Sequence, residues 1–172
     1  MGLFNWGKKA ELLRWQKFVL ADSPDRLIMT EKQLRDATVR RAKRDLEIAD
    51  DCSRIVQTTT KPSVFFSRLS LFKDKLTDLK ECEKYISFTG ASPSAALAEV
   101  LEKEQECVFQ FLKRYLIETL DKADAAKTSA GKLGKFNKFH ESLQPYYSQI
   151  SEDNIEYIET RYQAYSSKYI KK

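Results

Sequence analysis

Residues that break regular structure are scarce in this chain of 172 residues. It contains 5 Gly and 4 Pro, so few positions require a turn. No apolar run approaches the roughly 18 residues that a membrane-spanning helix needs. The N-terminal stretch MGLFNWGKKAELLRW carries charges where a signal peptide is apolar. We therefore expect long helices joined by few turns, no membrane span and a cytoplasmic location.

Side chains that support catalysis or bind metals are also scarce. The chain has one histidine, His140, and contains no Gly-rich phosphate loop, GxSxG elbow or HExxH motif. No two Cys or His lie at zinc-ligand spacing. His140 lies beside Phe136 and Phe139 on an amphipathic segment, which favours a structural or surface role. We predict no catalytic residue, no cofactor and no metal site, and hence that the protein is not an enzyme.

The three cysteines give no disulfide framework. Cys52, Cys82 and Cys107 are odd in number and all lie inside predicted helices. If the helices pair antiparallel about turns near residues 60 and 91, none of the three lies opposite another. Reduced, buried thiols are therefore expected.

The strongest periodic signal spans residues 62–88. Its apolar residues recur at spacings of three and four, which places them on one stripe of a long helix. A helix of this kind is unstable alone and must be buried against others. Glu83 is the one polar member of the stripe, which otherwise comprises Phe65, Leu69, Phe72, Leu76, Leu79 and Ile86.

Similar periodicity predicts the other elements, and no strand signal is present. Thr30 and Gln33 form a capping-box pattern at the start of the second helix, and Gly131 and Gly134 indicate a loop over residues 128–134. Pro145 is expected to kink or break the helix that contains it. The remaining helices are predicted at about 8–20, 30–58, 92–127, 135–150 and from Ser151 onward.

The sequence predicts an all-α fold: an elongated antiparallel helical bundle of about five to six helices, three of them long. Residues 1–29 form a basic, aromatic segment with a short helix, and residues 30–172 form the bundle, as one domain overall.

Positive charge is concentrated at the start of the chain. Residues 1–44 contain 11 Lys and Arg against 5 Asp and Glu, a balance that permits contact with an acidic partner, nucleic acid or anionic lipid. The second helix carries what we call the basic cluster. Asp36, Asp45 and Glu47 flank it at spacings that allow ion pairs, so a paired or solvated face is favoured over a binding face. The cluster comprises Arg35, Arg40, Arg41, Lys43 and Arg44.

Aromatic residues supply the other candidate binding positions. Trp6 and Trp15 are expected to dock the N-terminal segment on the bundle or on a partner, in preference to a membrane surface. Tyr162, Tyr165 and Tyr169 follow a helical seam near the C-terminus. Tyrosine is common at interfaces, although packing at a half-buried edge of the bundle is the favoured interpretation.

Three stretches carry a resemblance to a known group of proteins. They are KPSVFFSRLSLFKDKL, SFTGASPSAALAEVLEK and FLKRYLIETLDKA. Over about residues 50–165 the chain resembles an uncharacterised family of small all-helical proteins of Gram-positive bacteria and their mobile elements. That group has no assigned activity, so the resemblance implies an all-α cytoplasmic protein and no functional residue.

The sequence thus favours a non-enzymatic helical protein that binds another macromolecule, most readily a protein. Two alternatives stay open, namely nucleic-acid binding through the basic N-terminal region and an unrecognised enzyme that uses His140. Unused apolar surface on the long helices also leaves homo-oligomerisation open.

Overall fold

The computed structural model describes residues 3–86 and 102–169, with side chains from residue 7 onward. These residues form six α-helices and one 3-10 helix, and the described ranges contain no strand. The α-helices are α1 (Leu3–Val19), α2 (Glu31–Thr58), α3 (Pro62–Glu83), α4 (Glu104–Asp124), α5 (Ser129–Leu143) and α6 (Glu152–Ser166), and the 3-10 helix is Gln144–Gln149. The predicted all-α fold is confirmed.

Local sequence signals explain where several helices begin. The backbone N–H of Gln33 donates to Thr30 Oγ1 at 3.3 Å, and Gln33 Oε1 accepts from the Thr30 N–H at 2.8 Å. This is the predicted capping box, and it satisfies backbone donors that the first turn of α2 leaves free. α3 begins at Pro62, a residue suited to the first turn because its missing N–H would be unpaired there.

The apolar stripe of α3 is buried along its whole described length. The six apolar members from Phe65 to Ile86 are each at most 4% exposed. Glu83, however, is exposed, and the neighbouring Cys82 is fully buried. Cys82 therefore occupies the position on the stripe that the spacing had given to Glu83, and the carboxylate needs no buried partner.

Two sequence-based boundaries were wrong. α5 begins at Ser129, inside the predicted loop at 128–134, because Thr128 caps the helix by accepting from the Gly131 N–H at 3.0 Å. A Gly within a helix costs only about 1 kcal/mol relative to Ala, so Gly131 and Gly134 lower helix propensity without ending the helix. α1 also begins at Leu3 rather than near Lys8. The predicted break at Pro145 is present as the 3-10 helix, while Phe88, Gly90, Ser92 and Pro93 lie outside the described residues.

The chain divides into two compact units. Unit one comprises Met1–Asp51 and Phe72–Leu97, and unit two comprises Cys52–Leu71 and Ala98–Lys172. α2 and α3 each contribute residues to both. The predicted division into 1–29 and 30–172 thus does not coincide with these units, and behaviour as a single domain stays a prediction.

Aromatic packing on Trp15 defines the core of unit one. Trp15 is 5% exposed, its Nε1 donates to Thr38 Oγ1 at 2.7 Å, and its ring stacks on Tyr85 with centroids 5.4 Å apart. Leu34 and Ile86 complete the fully buried cluster. The N-terminal segment therefore packs against α2 and the end of α3 through Trp15, whereas the side chain of Trp6 lies outside the described residues.

Gln16 holds the connection between α1 and α2. Its side chain is fully buried, and its Nε2 donates to Ser23 Oγ at 2.7 Å and to the Arg26 carbonyl at 3.1 Å. Its Oε1 accepts from the N–H groups of Ile28 and Met29 at 2.8 and 3.1 Å. One buried amide thereby binds three backbone groups of the connection and fixes its path.

Unit two has an aromatic core. α5 packs on α4 and on α6, and it runs antiparallel to α6 because Asn137 bonds Tyr162 whereas His140 contacts Glu159. Stacked rings link the elements, as for Phe136 with Tyr165 at 4.0 Å. Two further stacks are Phe65 with Phe111 at 4.1 Å and Phe66 with Tyr146 at 4.4 Å.

Replacing Gln16 with Met should destabilise unit one. Methionine roughly preserves the volume but removes the acceptor of the Ile28 and Met29 N–H groups and the donor to the Arg26 carbonyl, at about 1–3 kcal/mol in all. Urea unfolding followed by tryptophan fluorescence measures the loss. The exposed Gln163 is the control, and Gln163→Met should change the free energy of unfolding by less than about 0.5 kcal/mol. Equal effects of the two variants would contradict this role of Gln16.

Candidate functional site

The basic cluster divides into an inward and an outward group on α2. Arg35, Arg40, Lys43 and Arg44 are exposed, whereas Arg41 is half-buried. The split follows the helical period, because Leu34, Thr38, Ala42 and Asp45 form the fully buried face and Arg41 lies at its margin. The basic cluster therefore does not present a single cationic face.

Arg41 connects three helices. Its Nη1 donates to the Phe18 carbonyl near the end of α1 at 2.6 Å, and its Nη2 donates to Asp78 Oδ1 on α3 at 3.0 Å. The guanidinium also lies over the Phe18 ring, 4.2 Å from the centroid, a favourable cation–π position. Arg41 is therefore a structural residue rather than a free binding residue.

Arg41 belongs to an ion-pair network that alternates in sign. Asp45 is 0% exposed, and a buried carboxylate costs several kcal/mol unless cations accompany it. Arg41 Nε lies 3.5 Å from Asp45 Oδ2, the i,i+4 pair that the sequence allowed. Lys75 Nζ lies 3.2 Å from Asp45 Oδ1 and donates to Asp78 Oδ2 at 2.9 Å.

Two groups in and beside the network have shifted pKa values. The hydrogen bond to Asp78 raises the pKa of Lys75 above its ordinary 10.5, with burial opposing and Asp45 adding to the rise. Because the folded pKa is the higher one, stabilisation by Lys75 is complete below pH 10.5 and is lost as pH rises through the folded value. Burial raises the pKa of the nearby Cys82 thiol to about 11, which keeps it protonated and unreactive at neutral pH.

An open groove lies beside this network, between the end of α1 and the outer side of α2. Its volume is about 550 Å³. Arg40 and Arg44 are its exposed cationic residues, and Arg41 closes its inner side. Among the described residues, no carboxylate lies within 4.0 Å of Arg40, and Arg44 reaches only Asp45, at 4.0 Å. We call this the arginine groove; its apolar floor consists of Phe18, Val19, Leu20, Ala21 and Ala37.

The C-terminal tyrosines pack largely inside unit two. Tyr165 is 8% exposed, and burial raises the pKa of its hydroxyl to about 12. Tyr162 stacks on the His140 ring with centroids 4.4 Å apart. Tyr169 is half-buried against Tyr165, and Lys132 lies over its ring. Partner binding through these residues stays a prediction, with Tyr165 the least accessible of them.

His140 belongs to a hydrogen-bonded cluster on unit two. Its Nε2 donates to Glu159 Oε1 at 2.7 Å, and the Tyr147 hydroxyl donates to the same oxygen at 2.7 Å. Burial raises the pKa of Glu159, but the hydrogen bonds from Tyr147 and His140 outweigh it and leave the pKa below its ordinary value. The pKa of Tyr147 is raised by burial and by its bond to Glu159. These contacts fix the position of the His140 ring.

The described residues contain neither a membrane-spanning helix nor a metal-binding cluster. No helix of residues 3–86 and 102–169 has the length and apolarity that crossing a bilayer requires. Within the same ranges, no group of three or more His, Cys, Asp or Glu is placed to hold a metal ion. No disulfide joins Cys52, Cys82 and Cys107; Cys52 and Cys82 are buried, as predicted, whereas Cys107 is half-buried.

Several residues that shape the site escaped the sequence analysis. Gln16 carries no periodic signal, and Lys75 and Asp78 read as ordinary polar positions of α3. Their i,i+3 spacing was visible, but their proximity to Asp45 depends on how α2 and α3 pack. The floor of the arginine groove was missed because the apolar side chains of α1 scatter around its axis. Arg35 and Lys43 do not line the groove.

Comparison with known proteins gives no relative for this chain. No protein-family model, curated protein or solved structure matches it. The resemblance to the Gram-positive family therefore stays a prediction, and function must be argued from the geometry above.

Replacing Arg41 should destabilise the fold far more than replacing its neighbour. Arg41→Met breaks the network at a buried carboxylate and should cost about 3–5 kcal/mol in the free energy of unfolding. The control Arg40→Met, at an exposed position, should change it by less than about 0.5 kcal/mol. Adding Asp45→Leu to Arg41→Met should recover part of the loss, since it removes the uncompensated charge. No recovery in the double variant, measured by urea unfolding, would contradict the network's role.

Glu159 should stabilise unit two in a pH-dependent way. Because its folded pKa is lowered, its contribution is fully present above the ordinary value of 4.5 and is lost as pH falls through the folded value. The difference in unfolding free energy between the wild type and Glu159→Gln should therefore shrink between about pH 6 and pH 3. Circular dichroism in urea measures it, with the exposed Glu156→Gln as control. A difference that is independent of pH would contradict the assignment.

Proposed function

We propose that this protein is a non-enzymatic helical binding protein that holds an acidic, amphipathic protein segment in the arginine groove. The observation that carries the proposal is the combination of an apolar floor with two exposed guanidinium groups, Arg40 and Arg44. The chemistry of the groove, rather than any resemblance, supports it.

The positive charge in and around the arginine groove supports an acidic partner. Arg41 is compensated by Asp45 and Asp78, so it contributes little free charge to the groove. Arg40 has no carboxylate within 4.0 Å among the described residues, and Arg44 reaches only Asp45, at 4.0 Å, which Arg41 and Lys75 already approach more closely. The surplus of 11 basic over 5 acidic residues in the first 44 positions adds a longer-range attraction. A carboxylate-bearing partner gains paired, charge-assisted hydrogen bonds from guanidinium groups.

The floor favours a protein over a nucleic acid. Phe18, Val19 and Leu20 can bury the apolar face of a helix, in the manner of a helix-in-groove complex. A nucleic-acid backbone offers phosphates instead, which gain affinity from each Lys or Arg contact through counterion release and have no apolar face for this floor to bury. A cytoplasmic location, which such a partner would share, stays a prediction.

Binding can be tested with designed peptides. The probe is a fluorescent helical peptide of about 18 residues with leucines on one face and glutamates beside them, a length that gives about five turns. A peptide with lysines in place of the glutamates is its control. Fluorescence anisotropy should show binding of the acidic peptide only.

Charge reversal then locates the site. Arg40→Glu with Arg44→Glu should weaken binding of the acidic peptide about tenfold or more, since like charges then face each other. Arg35→Glu with Lys43→Glu makes the same change in net charge outside the groove and should leave the affinity nearly unaltered. Equal weakening by both pairs would mean that only net charge matters and would overturn the proposal.

Nucleic acid is tested in the same assay with a 20-base-pair DNA duplex and a single-stranded RNA as probes. Tight binding of either, lost in the Arg40 and Arg44 variant while the acidic peptide does not bind, would replace the protein partner with a nucleic acid. The enzyme alternative rests on His140, whose contacts with Glu159 and Tyr162 support a structural role instead.

A further inference from the structure

The outer face of α6 carries a regular stripe of residues that unit two leaves open. We call Asp153, Tyr157, Thr160, Ala164 and Lys168 the α6 stripe. Their spacings of three and four place them on one side of the helix and its final turn. All are exposed except Tyr157, which is half-buried. They line two adjoining open grooves, of about 510 and 360 Å³, that have Tyr157, Arg161 and Ala164 in common.

The stripe and its surroundings include apolar surface that is exposed to solvent in the single chain. The Tyr157 ring packs edge-on against Phe109, with centroids 5.2 Å apart, and Arg161 lies over it at 5.5 Å. Ile117 lines the second groove and is 59% exposed, which is unusual for a large aliphatic residue. Together these side chains form a surface that gains free energy when it is covered.

Charge along the stripe changes sign at its middle. Its first half carries Asp153, with Glu156 beside it, and its second half carries Lys168, with Arg161 beside it. Asp153 and Lys168 lie roughly 22 Å apart along the helix, at 1.5 Å per residue, so they cannot pair with each other. Among the described residues, neither lies within ion-pair distance of an opposite charge.

We propose that the α6 stripe is a self-association surface whose occupant is α6 of a second copy of this chain. The two helices would pack antiparallel about a twofold axis located between Thr160 and Arg161. In that register Asp153 faces Lys168 of the second copy, and the reciprocal pair forms at the other end. Both charges that lack an ion-pair partner in the single chain are thereby satisfied.

Side-chain size fits the same register. Tyr157 faces Ala164 of the second copy, so a large side chain meets a small one at two equivalent places. Beside the axis Thr160 faces Arg161, so two bulky apolar side chains do not meet there. Antiparallel helices also bring opposite ends of their macrodipoles together. A twofold interface requires such self-complementarity.

The mixed charge argues against the other common partners of an exposed helix. An anionic membrane or a nucleic acid attracts a face of one sign, and Asp153 and Glu156 would repel either. An unrelated protein would have to match the reversal of sign, the tyrosine and the alanine. A second copy supplies all three by symmetry. This inference is independent of the arginine groove and of the function proposed for it.

Two single charge reversals test the register. The full chain is studied by sedimentation equilibrium from about 10 to 500 µM, because an interface of this small size gives weak association. The wild type should approach twice its 20.0 kDa. Asp153→Lys and Lys168→Glu should each weaken dimerisation at least tenfold, since each places like charges opposite one another at both ends.

Mixing the two variants is the decisive arm. In an equimolar mixture, a heterodimer places the new lysine of the Asp153→Lys chain opposite the new glutamate of the Lys168→Glu chain. At its other end the two unchanged residues, Asp153 and Lys168, face each other as in the wild type. The heterodimer should therefore form with nearly wild-type affinity, and circular dichroism confirms that each variant is folded. Because the single variants must fail alone and succeed together, loss of folding cannot imitate the result.

A second pair of variants tests the packing. Ala164→Arg places a bulky cation opposite Tyr157 and should abolish the dimer, whereas Gln163→Arg, at the adjacent exposed position, should leave it intact. A wild type that stays at 20.0 kDa at all concentrations would overturn the proposal. So would a dimer that is indifferent to both charge reversals, a mixture that stays monomeric, or equal effects of the two arginine substitutions.

Discussion

The buried contact between Arg41 and Asp45 is the constraint on which unit one depends. Asp45 is excluded from water, so its charge is tolerable only where cations are held next to it. Arg41 can provide that charge only when the Phe18 carbonyl and Asp78 position its guanidinium. One buried carboxylate thereby fixes the end of α1 and the second half of α3 against α2.

The same constraint creates the arginine groove. Because Arg41 is drawn inward, its neighbours Arg40 and Arg44 are left on the outer side of α2 without strong partners, above an apolar floor. Unit two uses a related device, in which Arg114 donates to the Val56 carbonyl near the end of α2 at 2.9 Å. In both units an arginine satisfies a carbonyl that the last turn of a helix leaves free, and in unit one the arginine groove lies directly beside this anchor.

Local patterns accounted for most of the fold. The α3 stripe and the capping box at Thr30 were predictable because their evidence lies within a few residues. The prediction of a loop at 128–134 was wrong. The low helix propensity of Gly131 suggested a break, but Thr128 caps a helix that includes Gly131. In the basic cluster, periodicity gave the Arg41–Asp45 spacing, but nothing local distinguished Arg41 from Arg40, because the groups that bind Arg41 are distant in sequence.

The sequence by itself determined the helical class, the buried stripe and the presence of surplus positive charge near the start. These follow from periodicity, composition and spacing, which act over one or two helical turns. Only the tertiary structure decided which cation is structural, which carboxylate is buried, and that Gln16 holds the loop after α1. Each of those outcomes depends on desolvation and pairing between residues far apart in the chain, and their energies exist only once the helices have packed.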